Sequence, residues 1–210
     1  MSIFSGACFA RQIKDTTNSS QNYKKHRFSV GGSFGYGIPT EAYGTSTTGT
    51  QYGFDRGYAN PGIHFDVNFN FQICKHLGVL LEGEGNDNPY NPSYSKLGGY
   101  YFGAYMAGPF YSVNFRDGDI FEIRLDAGFV TLRTTQAFIY FIGFSPTVNY
   151  GFGGALGVKF KKHRIKGIFI TAEISYTKAQ VRYYDDVSEK SYESGPIGIT
   201  TGAVGVEFKF

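Results

Sequence analysis

The sequence predicts an all-β chain closed into an antiparallel, up-and-down transmembrane β-barrel of eight strands. Three observations carry that prediction. Apolar and polar residues alternate with period two through most of the chain after residue 26. The connections between the alternating segments are long and short in strict turn. The last segment, GAVGVEFKF, keeps one apolar face and finishes on an aromatic ring.

Composition agrees. At 210 residues the chain makes one domain with a short tail. Its 29 glycines, 17 tyrosines and 21 phenylalanines, against two methionines and no tryptophan, suit strands and tight turns better than helices. No stretch approaches the roughly 18 to 20 uninterrupted apolar residues that a membrane-spanning helix needs. The mean hydropathy is slightly negative, as expected of a wall in which lipid-facing and lumen-facing residues cancel. A net charge of +3, carried by no basic helix, argues against a nucleic-acid partner. Cys8 and Cys74 are not expected to pair, because one falls in a leader-like segment and the other beside a turn.

In chain order, residues 1–10 read as the tail of a secretory signal peptide, with Ala10 at a cleavage point and no basic segment ahead of the apolar run. Residues 11–26 are polar and read as a flexible periplasmic tail, and the barrel is expected over 27–210. The first strand is expected at 27–37. The second, at 62–73, is the clearest: Ile63, Phe65, Val67, Phe69, Phe71 and Ile73 alternate with His64, Asp66, Asn68, Asn70 and Gln72. The third, at 77–86, sets Val79 and Leu81 against Glu82 and Glu84 on the opposite parity. The fourth, at 99–115, is aromatic on both faces and contains Pro109, so a bulge or phase shift is expected there. The fifth, at 120–132, sets Phe121, Ile123, Leu125, Ala127 and Phe129 against Glu122, Arg124 and Asp126. Strands at 147–160, 167–182 and 197–210 complete the set, several of them matching the roughly 9 to 11 tilted residues that cross a bilayer.

Short turns are expected at 74–76, 116–119 and 161–166, and Arg116-Asp117-Gly118-Asp119 is a strong hairpin signal. Long loops are expected at 38–61, 87–98, 133–146 and 183–196. Four long loops on one rim, with short turns and both termini on the other, is the layout of a membrane barrel. The run 137–144 is too apolar for an ordinary loop and is expected either to extend strand five or to lie against lipid or a partner.

Polarity sets which face meets lipid. One face of the strands carries Asp66, Glu82, Glu84, Glu122, Arg124, Asp126, Glu173 and Glu207; the other carries no Lys or Arg in mid-strand, where each would cost about 2–4 kcal/mol in hydrocarbon. The charged set is therefore assigned to the lumen. Closure follows from backbone chemistry, because only a helix or a closed barrel pairs every N–H and C=O internally within the bilayer.

The final strand, with Val204, Val206, Phe208 and Phe210 on one face, resembles the C-terminal strand by which outer-membrane barrels are recognised for insertion, and Phe210 matches its terminal Phe. Over about residues 27–210 the chain resembles the eight-stranded OmpA-type, or porin-like, outer-membrane β-barrel families. No counterpart of the OmpA-type peptidoglycan-binding domain is expected. The resemblance implies a bacterial outer-membrane protein with a structural, adhesive or narrow-pore role. It implies contact with outer-membrane lipids, and with the barrel-assembly machinery through Val206, Phe208 and Phe210.

The lumen residues Asp66, Glu82, Glu84, Glu122, Arg124, Asp126, Glu173 and Glu207 read first as a structural charge network, and second as the lining of a gated pore or proton-sensitive site. His64 beside Asp66 raises an alternative, a deacylase or acyltransferase acting on outer-leaflet lipid. No serine nucleophile motif accompanies the pair, and no catalytic residue is assigned. No two His or Cys share ligand spacing, so neither metal nor cofactor is expected. The basic run Lys161, Lys162, His163, Arg164, Lys166 suits anionic head groups better than nucleic acid. Glycines at 151–157 are expected to make room for bulky lumen neighbours rather than to bind a nucleotide. Loop residues Tyr43, Tyr52, Phe54, Arg56, Tyr58, Tyr183, Tyr184 and Tyr192 suit either an extracellular ligand or an interfacial girdle. A second alternative, a soluble lipocalin-like barrel, would call for an apolar interior and a flanking helix.

Overall fold

The computed structural model describes residues 27–41, 59–89, 99–115, 118–134, 148–185, 190–193 and 196–210. The leader-like segment 1–10, the tail 11–26, Cys8, the run 137–144, and Tyr43, Tyr52, Phe54, Arg56 and Tyr58 lie outside the described residues, as do the side chains of Tyr183, Tyr184 and Tyr192.

The strands are β1 (Phe28–Thr40), β2 (Gly62–Gln72), β3 (Leu77–Pro89), β4 (Gly99–Asn114), β5 (Ile120–Thr134), β6 (Val148–Ile165), β7 (Ile168–Asp185), β8 (Lys190–Glu193) and β9 (Ile197–Lys209). Eight of them form the wall. Each of β1 to β7 pairs antiparallel with the next; β7 also pairs with β9, and β9 with β1, which closes the ring. β8 is a short flap paired to the loop end of β7, Arg182–Asp185. Among the described residues no helix is long and apolar enough to cross a membrane.

Alternation dictates the register. In β2 every odd residue from Ile63 to Phe71 is exposed on the outer surface and every even one from His64 to Asn70 is buried. A slip of one residue would put Asp66 outside and Phe65 inside, so the polarity of the two faces pins the pairing of Asp66 with Ser33 and with Glu84. The outer surface is an almost unbroken apolar belt: Phe34, Leu125, Phe129, Ile174 and Val204 are each at least 60% exposed. Patches on this scale are not tolerated in water and match hydrocarbon. Tyrosines Tyr36, Tyr101, Tyr105 and Tyr150 sit toward the loop end of the belt, and Phe28, Phe115, Phe160 and Phe208 toward the turn end. The wall itself thus supplies an aromatic girdle at both ends of the belt.

Two local expectations need correction. Pro109 produces no bulge and no phase shift: the ladder from β4 to β5 skips Gly108 and Pro109 and resumes in the same register, with Ala107 opposite Ala127 and Phe110 opposite Arg124. Pro109 still pairs with Val79 on the other side. A missing N–H removes hydrogen bonds to one neighbour only, and Gly108 lets the chains stay close, since a Cβ there would lie 2.0 Å from the carbonyl oxygen of Leu125. The second correction concerns 161–166. β6 continues to Ile165 with an irregularity between His163 and Ile165, the reversal is at Lys166 and Gly167, and Gly167 takes a φ of +80° there.

Candidate functional site

All eight charged residues assigned to the lumen are buried inside the barrel. They are arranged in tiers along its axis.

At the turn end, Lys161 Nζ lies 2.6 Å from Glu122 Oε1 and 2.7 Å from Glu207 Oε1. Ser29 Oγ donates to the same Glu207 oxygen at 2.6 Å, and Asn70 Nδ2 donates to Ser29 Oγ at 3.2 Å. Beside them is a small cavity of about 20 Å³, lined among others by Ser112, Glu122, Lys161 and Glu207. That is room for about one water molecule. Ser112 Oγ and Glu207 Oε2 have no protein hydrogen-bond partner among the described residues, so such a water has groups to bridge.

The middle tier is built on Arg124. Its guanidinium forms ion pairs with Glu82 on β3 and Glu173 on β7, while Asp126 Oδ2 lies 3.5 Å from its Nε. Lys159 Nζ takes the other oxygen of Glu173 at 2.7 Å. Arg suits this position because its planar fork can meet two carboxylates at once. Gly157 makes the room: a Cβ there would lie 2.6 Å from Arg124 Nε. The expectation for the glycine run is thus met at Gly157.

One tier higher, Asp66 accepts from Ser33 and from Asn68 Nδ2, the latter at 3.0 Å. His64 Nε2 is 3.4 Å from Asp66 Oδ2, and its Nδ1 is 3.1 Å from Asn86 Oδ1. Thr177 Oγ1 donates to Glu84 Oε1 at 3.1 Å.

Above this the lumen changes character. The inward residues in the loop-end halves of β4 to β7 and β9, with Ala59, form one apolar cluster: Phe102, Ala104, Met106, Val130, Leu132, Ala155, Ala179, Val181, Ile197 and Ile199. Phe102, Val130, Leu132, Val181 and Ile199 are almost wholly inaccessible. An apolar interior was expected only of a lipocalin-like barrel; here it occupies the loop end on the side of β4 to β7 and β9, while Asn86 and Asn88 on β3, wholly buried at the same height, keep the other side polar.

Two partners of the acidic set escaped the sequence reading: Lys159, within the expected strand 147–160, was not singled out, and Lys161 fell in the run 161–166 that looked like a turn. Period two running on from Val158 and Phe160 was the available signal. Even with them, seven buried carboxyl groups (Asp66, Glu82, Glu84, Glu122, Asp126, Glu173 and Glu207) face three buried cations (Arg124, Lys159 and Lys161) and His64. A low-dielectric lumen does not hold that many uncompensated charges, so some of these groups retain protons or draw in cations. Glu84 Oε2, Glu207 Oε2 and both oxygens of Asp126 lack a hydrogen-bond donor among the described residues. Among the described residues no cluster of His, Cys, Asp or Glu is placed to hold a metal ion.

No known protein family and no curated protein matches the sequence. The structure is similar to that of Neisserial surface protein A, with a TM-score of 0.62 at 11% sequence identity over 87% of this chain and 97% of that one. Looser matches, both with a TM-score of 0.49, are Ail of Yersinia pestis (14% identity, 88% and 99% covered) and the outer-membrane protein OprG of Pseudomonas aeruginosa (15% identity, 88% and 97% covered). With its closed eight-stranded wall, apolar outer belt and charged lumen, the chain has the fold of the small bacterial outer-membrane β-barrels.

Proposed function

We propose that this protein is an integral barrel of the bacterial outer membrane that does not conduct in the state described here, and that serves a structural or adhesive role through its loops. The observation that carries this reading is the apolar cluster. A water-filled path needs polar groups or width along its whole length, and a hydrophobic constriction excludes water and ions. Phe102, Leu132 and Ile199 pack at the loop end above the charged tiers, whose ion pairs across the lumen leave room for about one water molecule at the turn end. The remaining role passes to the four long loops, whose tyrosines suit contact with an extracellular ligand.

The test is conductance of the refolded protein in a planar bilayer. No discrete current steps are expected from the native chain when it migrates as a folded barrel on unboiled gels. Steps from the native chain would overturn the sealed reading and restore the narrow pore.

The lipid-modifying alternative needs His64 and Asp66 to meet a lipid. Each is only 3% exposed, beneath the apolar cluster and facing inward. His64→Ala or Asp66→Ala should leave the lipid pattern of cells making the protein unchanged; a change that tracks either residue would revive the enzymatic reading. Val206, Phe208 and Phe210 stand exposed on the outer face of β9, where a folding catalyst could read them. Removing Phe210 should lower the yield of assembled barrel in cells.

A further inference from the structure

The tetrapeptide Lys-Lys-His-Arg occurs twice, at 24–27 and at 161–164. The second copy ends β6 at the turn rim, and Arg27, the last residue of the first, stands just ahead of β1 at the same rim. β6, β7, β9 and β1 are consecutive around the wall, and backbone hydrogen bonds tie their ends together: Lys209 N–H to Gly167 O at 2.7 Å, Phe210 N–H to Phe28 O at 2.8 Å, and Gln72 N–H to Arg27 O at 2.8 Å. Lys162, Arg164, Lys166 and Arg27 are all exposed on this arc, and Lys209 lies half-buried between them with its Nζ 3.2 Å from Gln72 Oε1.

The acidic side chains nearest this arc are already committed. Glu207 is buried against Lys161 and Ser29, and Asp119 on the adjoining turn accepts the His163 backbone N–H at 2.9 Å. Among the described residues the arc therefore presents basic side chains with no exposed Asp or Glu from β6 round to β1.

The charges also sit directly against the apolar belt. Lys162 follows Phe160 on the outer face of β6, and Ile165, Phe28, Phe208 and Phe210 are exposed beside the same arc. A cation whose stem runs along apolar surface and whose head clears its edge is placed at the height of lipid phosphates. A surface for a soluble polyanion would have no reason to lie flush with hydrocarbon. We propose that this rim binds the phosphates of anionic phospholipids in the leaflet that the short turns face. The proposal rests on the membrane reading of the outer belt.

The experiment uses the full chain refolded into phosphatidylcholine vesicles that carry a trace of spin-labelled phosphatidylglycerol or spin-labelled phosphatidylcholine. The motionally restricted fraction of each label reports its association with the protein. Phosphatidylglycerol should associate at least about fivefold more strongly than phosphatidylcholine at low salt, the factor that one basic residue near an anionic surface supplies. The preference should shrink at high salt. Lys162→Gln/Arg164→Gln/Lys166→Gln should bring it close to one, while Lys162→Arg/Arg164→Lys/Lys166→Arg, which conserves charge, should keep it.

Equal association of the two lipids with the native chain would overturn the proposal, as would a preference untouched by the triple glutamine variant. Binding of an anionic muropeptide to the same residues with no lipid preference would overturn it in favour of a cell-wall contact. Failure of the membrane reading itself would look different: no restricted lipid of either kind, and no migration shift between boiled and unboiled protein.

Discussion

Replacing Arg124 with methionine keeps most of the side-chain volume and removes the one cation that contacts Glu82, Glu173 and Asp126. Seven buried carboxyl groups would then face only Lys159, Lys161 and His64. Breaking a buried ion pair by deleting one partner costs about 3–5 kcal/mol, because the survivors stay buried without compensation. With a denaturant slope of about 2 kcal/mol per molar urea, a loss of about 4 kcal/mol lowers the urea midpoint by about 2 M. The chain has no tryptophan, so unfolding in lipid vesicles is best followed by far-ultraviolet circular dichroism and by the fraction of unboiled protein that migrates as a folded barrel. Adding Glu82→Gln and Glu173→Gln to the Arg124→Met variant should recover at least half of the loss. Glu84→Gln alone should be neutral or stabilising, since Glu84 has only Thr177 as a hydrogen-bond donor for one oxygen and none among the described residues for the other. A midpoint for Arg124→Met within about 0.5 M of the native value would refute the reasoning. The charges would then behave like solvent-exposed pairs worth about 0–1 kcal/mol, and the lumen would have to be treated as wet.

Gly128→Ala should destabilise the barrel by about 1–3 kcal/mol or block its folding, because the new Cβ would lie 2.0 Å from the carbonyl oxygen of Tyr105 and strand backbone would have to shift. Gly202→Ala, on the outer face with nothing within 4 Å of its Cβ position, should be neutral or slightly stabilising in the same urea assay. Glu41, just beyond β1, accepts from the Tyr176 hydroxyl at 2.7 Å and from Lys178 Nζ at 3.1 Å, which together hold its carboxyl below its ordinary value of 4.5. With the folded value the lower one, this contact contributes fully above about pH 4.5 and is lost as the pH falls through the folded value. Tyr176→Phe should move the Glu41 titration up toward 4.5 in a carbon-detected NMR experiment, and no movement would show that the hydroxyl does not hold it. Lys161→Met should weaken the turn-end tier by separating Glu122 and Glu207 from their shared cation, with a smaller midpoint loss than Arg124→Met because two carboxylates rather than three lose a partner.

The sequence by itself determined the eight wall strands, the polarity of the clearest faces and the alternation of long and short connections, though not the run of β6 to Ile165 or the short β8. Period two is written residue by residue, so Ile63 to Phe71 declare an outer face before any neighbour is known, and the acidic residues opposite them declare a lumen. What period two leaves open is which side chains meet across the barrel. Arg124 finds Glu82 and Glu173 only because β5 faces β3 and β7 through the lumen, and Lys161 finds Glu207 only because closure brings β6 and β9 to either side of β7. Pro109 shows the same limit from the other side: a local rule called for a bulge, and pairing with β3, together with the close approach that Gly108 allows, kept the strand in register. The apolar cluster was legible residue by residue at Phe102, Val130, Leu132, Val181 and Ile199, but those residues lie on four wall strands, β4, β5, β7 and β9. Only the tilt and stagger of the closed wall put them at one height, where they pack together.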